Sequence, residues 1–146
     1  MSPKFAPSVR IVLTSILVAM TAIAGAAASD AGLSAEEGAA AVRKHIETQS
    51  AKHGSFWVYD AVANESLRLS FKSLDQERFG LTESTTYFAS AHMTDESGSP
   101  FIVDVFLRGT DPEKLEVLEV TIQERDGAAR YDWQREDGLW SRSGQD

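Results

Sequence analysis

The sequence predicts an α+β domain: one N-terminal helix packed on a curved antiparallel meander of five or six strands. Three observations carry that prediction. Helical periodicity is confined to residues 34–54. Period-two alternation runs through most of the chain after residue 54, cut into segments by polar breaks that contain Gly, Pro, Asn or Asp. The 146 residues include no cysteine, so a domain of this size must hold by packing and not by disulfides.

The helix starts at a capping box. Ser34 stands at the N-cap position and Glu37 three residues on, and Glu36 and Glu37 suit the positive end of the helix dipole. Ala35, Ala39, Val42 and Ile46 share one face, and Lys52, His53 and Gly54 form the end signal. His45 reads as solvated and His53 as a capping residue; their spacing makes a poor metal site.

The strands come next in order. Residues 56–60 are aromatic and β-branched. Leu67, Leu69 and Phe71 alternate with Arg68, Ser70 and Lys72, and residues 75–82 read as a longer connection. Residues 85–94 and 101–108 form a hairpin, residues 109–113 turn the chain, and residues 115–125 form the next strand. Asp126-Gly127 is a strong two-residue hairpin signal, and residues 130–133 return from it. Residues 134–146 read as a polar tail with a frayed end.

Residues 1–28 read as a secretory signal peptide. Lys4 and Arg10 precede an uncharged run from Ile11 to Ala28 that ends in small residues, with cleavage expected before Ser29. The expected organisation is therefore a signal peptide at 1–28, a single domain at 29–133 and the tail at 134–146. The expected location is exported, periplasmic or secreted, with no stable membrane anchor after processing. The formal net charge of −8 becomes more negative when Lys4 and Arg10 leave. Such a surface argues against nucleic acid as a partner.

One helix followed by a meander, over most of residues 34–133, resembles the cystatin-like superfold, in which a curved sheet wraps one N-terminal helix. Cystatin protease inhibitors carry a Q-x-V-x-G loop after the first strand; here the chain reads DAVANES. The resemblance therefore implies a fold and not protease inhibition. The same superfold carries ketosteroid-isomerase-like enzymes and exported modules alike.

A register can be proposed for the central strands. Met93 opposite Phe101 sets Ala91 against Val103, Ala89 against Val105 and Tyr87 against Leu107, all on the core face. The other face then pairs His92 with Ile102, Ser90 with Asp104 and Phe88 with Phe106. Val103 opposite Val120 and Val105 opposite Leu118 would extend the core. That offset places Glu119 opposite Asp104 and Val117 opposite Phe106. The Asp126-Gly127 turn would pair Ile122 with Tyr131 and Val120 with Trp133 on the apolar side.

The outer face then has a polar row, Ser90, Asp104 and Glu119, which Arg68 can join, beside an apolar row of Phe88, Phe106 and Val117. The expectation for the polar row is a solvated face. Enclosed instead, the two carboxylates could do acid–base chemistry, with His92 beside them. Phe88 and Phe106 either form a patch for a partner, which includes a homodimer through this face, or lie under the tail with Trp140. Ser90 and Arg68 complete the candidate binding set. No metal site and no cofactor is expected, and no serine sits in a G-x-S-x-G turn. The expected function is an exported module that binds an unidentified protein or small molecule without catalysis. The alternative is a small isomerase- or hydratase-like enzyme using Asp104 and Glu119 in a sheet cavity.

Overall fold

The computed structural model describes residues 32–144, so the expected signal peptide lies outside the described residues. Helix α1 spans Ala35–His53. Its capping box is complete: Ser34 Oγ accepts from the Glu37 N–H at 3.1 Å, and Glu37 Oε2 accepts from the Ser34 N–H at 2.8 Å. Gly54 ends the helix at φ 76°, where a side chain would be strained. The buried face is Gly38, Ala39, Val42 and Ile46. A side chain at Gly38 would enter the ring of Phe79, so glycine lets the helix approach the sheet. His45 is half-buried, edge-on to Phe56 at 6.1 Å, and burial lowers its pKa; the expectation of a solvated histidine is corrected.

The strands are β1 (Phe56–Asp60), β2 (Glu65–Glu83), β3 (Thr86–Thr94), β4 (Pro100–Arg108), β5 (Glu116–Arg125), β6 (Ala128–Ala129), β7 (Asp132–Glu136) and β8 (Leu139–Ser143). The first six form one antiparallel sheet in sequential order, and β7 and β8 form a separate hairpin. The expected connection at 75–82 is part of β2. Its 19 residues would span roughly 60 Å if straight. Irregularities between Phe71 and Ser73, between Asp75 and Phe79, and between Leu81 and Glu83 break that length and bend the strand.

The β3–β4 register is the proposed one at every position named, from Tyr87–Leu107 to Met93–Phe101. The β4–β5 register is displaced by two. Val103 faces Ile122, Asp104 faces Thr121, Val105 faces Val120 and Phe106 faces Glu119. Parity survives a shift of two, so Val120 keeps its side of the sheet. A second irregularity beyond Phe106 puts Val117 opposite Leu107, against the core. Leu118, expected in the core, is 42% exposed. The Asp126-Gly127 turn forms as expected, with both residues at positive φ. It closes only Arg125–Ala128 and Glu124–Ala129 as ladder pairs, so the Ile122–Tyr131 and Val120–Trp133 pairings do not occur.

The sheet curves until β1 approaches β5. Asp60, 1% exposed at the end of β1, ties the two together. It accepts two bonds from Arg130 (2.6 and 2.8 Å) and one from Arg125 (2.9 Å). The N–H groups of Val62 and Ala63 also bond it, both at 3.1 Å. Arg125 reaches Glu65 as well. Among the described residues no helix is long and apolar enough to cross a membrane.

The Arg130 hydrogen bonds hold the Asp60 carboxyl well below the usual carboxylate range. A carboxyl depressed in the fold stabilises at pH values above its unfolded pKa, about 3.9, and that contribution is lost as pH falls toward the folded value. We expect Asp60→Asn to cost about 2–3 kcal/mol at neutral pH, between an exposed and a fully buried pair. The difference from wild type should shrink below about pH 4. Urea unfolding of both proteins across pH 7 to 3 measures it; equal stability at neutral pH would mean that Asp60 does not hold the curved sheet together.

Candidate functional site

The outer face of β3 and β4 is not open. Ser90 and Asp104 are each 0% exposed, and Phe88 and Phe106 are buried with them. The expected solvated row is therefore corrected. What covers it is the β7–β8 hairpin, which takes up residues 134–143 of the segment expected to be a polar tail. Trp133 stacks on Phe88 with centroids 3.8 Å apart, and Trp140 meets the same ring edge-on at 5.3 Å. Of the two alternatives for the aromatic row, cover by the tail with Trp140 is the one found. Gly80 on β2 lies against the Trp140 indole, where any side chain would collide.

Asp104 is the polar centre of this second layer. One carboxylate oxygen accepts from Ser90 Oγ. The other accepts from Tyr131 Oη at 2.6 Å and Trp133 Nε1 at 2.8 Å. Burial raises the Asp104 pKa, and the Ser90, Tyr131 and Trp133 hydrogen bonds oppose that rise. Burial, then the charge of Asp104, pushes the Tyr131 hydroxyl far above its ordinary value. Gln123 Nε2 donates to the Tyr131 carbonyl at 2.5 Å. Its Oε1 is buried without a partner.

The other candidates separate from this centre. Glu119 faces Phe106 and not Asp104, and lies 3.6 Å from Arg142 at the rim. Arg142 in turn lies over the Phe106 ring, 4.7 Å from its centroid. His92 is exposed, opposite Ile102. Arg68 is remote from the row: it pairs with Glu96 at 2.6 Å and lies over the Trp57 ring. Arg78, within β2, is the cation whose charge reaches Asp104. Among the described residues no group of three or more His, Cys, Asp or Glu side chains could hold a metal ion.

A second feature lies where β1 meets β5. A groove of about 630 Å³ runs between Trp57, Val58, Tyr59, Ala61 and Val62 on one side and Glu119–Ile122 on the other, with Arg130 and Tyr131 at its end. Trp57 (47%), Tyr59 and Val62 are among the exposed large apolar side chains, whereas exposed Leu118 lies on the other side, with Phe106, Trp133 and Trp140. Sequence reasoning placed 56–60 on a strand and left these side chains without a role. Alternation carried the missed signal: Phe56, Val58 and Asp60 face in, which turns the aromatic Trp57 and Tyr59 outward. No family model matches the chain, and no curated protein and no solved structure is significantly similar to it.

Asp104→Asn should be close to neutral at pH 7. The asparagine oxygen can accept from Tyr131 and Trp133, while its amide donates to the Ser90 hydroxyl. An acid whose pKa is raised by folding stabilises more when protonated, so that contribution is lost as pH rises from the unfolded pKa through the folded one. The variant should therefore gain on wild type as pH rises from about 4. Asp104→Ala strands three donors and should cost about 3 kcal/mol or more. Thermal unfolding of the three proteins at pH 4 and pH 8 checks both statements; an Asp104→Ala protein as stable as wild type would show that the hairpin does not depend on this carboxylate.

Proposed function

We propose that this chain is an exported, non-catalytic binding module on a cystatin-like scaffold, and that its binding surface is the groove between β1 and β5. The observation that supports this reading is the clustering of Trp57, Tyr59 and Val62 around one groove between two strands. Exposed aromatic and aliphatic side chains gathered around a concavity are the usual ingredients of a recognition surface. The groove volume also lies within the size range of ligand sites.

Asp104 supports the same reading from the other side. The enzyme alternative draws on its raised pKa and its contact with Tyr131. Both carboxylate oxygens, however, are taken by donors, and a substrate would have to lift the hairpin to reach them. A general base needs a free direction toward the proton it removes.

The test is copurification of the processed protein from its native compartment. It is compared with a variant carrying Tyr59→Ser and Val62→Ser. The wild type should retain bound material that the variant loses about tenfold or more, with no drop in unfolding temperature; loss of a few apolar anchors has that scale of effect. Equal retention by both proteins would remove the groove as the binding surface. Loss of retention on Asp104→Asn alone would favour the enzyme reading.

A further inference from the structure

A second concavity lies between the β7–β8 hairpin and the turn that joins β2 to β3. It is an open cleft of about 450 Å³, within the size range of ligand sites. Its apolar part is Phe106, Leu118, Trp133 and Trp140. Phe88 takes one face of Trp133 and meets Trp140 edge-on, and both indoles stay partly exposed beyond it.

The polar part is balanced in charge. Arg108 and Arg142 line the cleft, and so do Glu83 and Glu119. Arg142 is paired with Glu119, and Arg108 with Glu116. An anionic ligand would meet two carboxylates and a cationic one two guanidinium groups, so neither sign is favoured. What the rim offers is hydrogen bonding. The Thr82 hydroxyl is already committed to the Thr86 carbonyl at 3.2 Å. The hydroxyls of Thr86 and Ser141 and the carboxylate of Glu83 bond no other group among the described residues, and all three line the cleft.

We infer that this cleft binds a neutral carbohydrate, with a sugar ring against Phe106, Trp133 and Trp140 and its hydroxyls on the rim. The inference is separate from the β1–β5 groove and goes beyond it. A pyranose ring is apolar on its C–H faces and polar around its edge. Those C–H groups carry slight positive charge, which suits the negative face of an aromatic ring. Each sugar hydroxyl both donates and accepts, so carboxylates, guanidinium groups and side-chain hydroxyls can all bond it. A wholly apolar ligand would cover the same rim groups without bonding them, and lose their solvation.

The probes are neutral hexamers of glucose, mannose, galactose and N-acetylglucosamine, with oligomers of galacturonic acid and of glucosamine as charged counterparts. Binding is read by chemical-shift titration of the processed protein. We expect at least one neutral hexamer to bind with a Kd of about 1 mM or tighter and to shift the Trp133 and Trp140 indole signals. Its affinity should hold between about 0.05 M and about 0.5 M salt, and the charged oligomers should bind no tighter. A Glu83→Ala, Ser141→Ala double variant changes two exposed side chains outside the Asp104 network. It should keep its unfolding temperature and lose about tenfold or more in affinity.

Absence of binding by every neutral hexamer at about 10 mM overturns the inference. So do full affinity in the double variant, tighter binding of either charged oligomer, and shifts confined to the β1–β5 groove. A polypeptide retained by the wild type, lost by the double variant and not released by the sugars also overturns it, by giving the cleft to a protein.

Discussion

A strand buried on both faces needs a cover on both faces, and β3 and β4 impose that condition on the rest of the molecule. Ala89, Ala91, Val103 and Val105 face one side; Phe88, Ser90, Asp104 and Phe106 face the other; all eight are buried. The helix covers the first side, with Val42 and Ile46 packed into the same core. The second side would expose two adjacent phenylalanines beside a carboxylate, and the chain meets it with the β7–β8 hairpin. The architecture is thus a helix, a curved sheet and a hairpin in three layers, and the C-terminal segment is part of the fold.

The hairpin is held by two kinds of contact that do different things. Trp133 and Trp140 on Phe88 supply apolar area, which attracts without choosing a position. Asp104 supplies direction. Its oxygens meet a hydroxyl from β3, a hydroxyl from the segment entering the hairpin and an indole N–H from β7. A hairpin slipped by one residue would leave donors and acceptors buried without partners, at about 1–3 kcal/mol each. The carboxylate loses solvation by being there, so its effect lies in choosing one arrangement more than in deepening it.

Much of the scaffold was legible because it is local. The capping box at Ser34 and Glu37, the glycine stop at Gly54 and the β3–β4 register all derive from neighbours in sequence or from one short hairpin. The β4–β5 offset was not legible, because its ladder contains irregularities that no residue type announces. The hairpin was missed for a different reason. Asp137-Gly138 repeats the signal recognised at Asp126-Gly127, with both residues again at positive φ, but the flanking residues are polar and hide the alternation. What makes β7 and β8 strands is the aromatic surface under them, which is remote in sequence. The Asp60 cluster joins partners about 65 and 70 positions apart, beyond the reach of any pattern read along the chain.

The two buried carboxylates also explain why the sheet stops where it does. After Ala129 the chain could continue beside β5, since Arg130 still bonds the Gln123 carbonyl. The Arg130 side chain is drawn to Asp60 at the end of β1, and the next residue, Tyr131, is drawn to Asp104 on the outer face. Two adjacent residues committed to two separate anchors cannot also prolong a straight ladder. β6 therefore ends after two residues and the backbone crosses over the sheet. The Asp60 cluster brings β1 near β5 through side chains, with no main-chain ladder joining them. An edge left unpaired beside exposed aromatics is an aggregation hazard unless something guards it. Here the guards are on β5 itself: the bulge that turns Leu118 outward, and Glu119 on the open stretch.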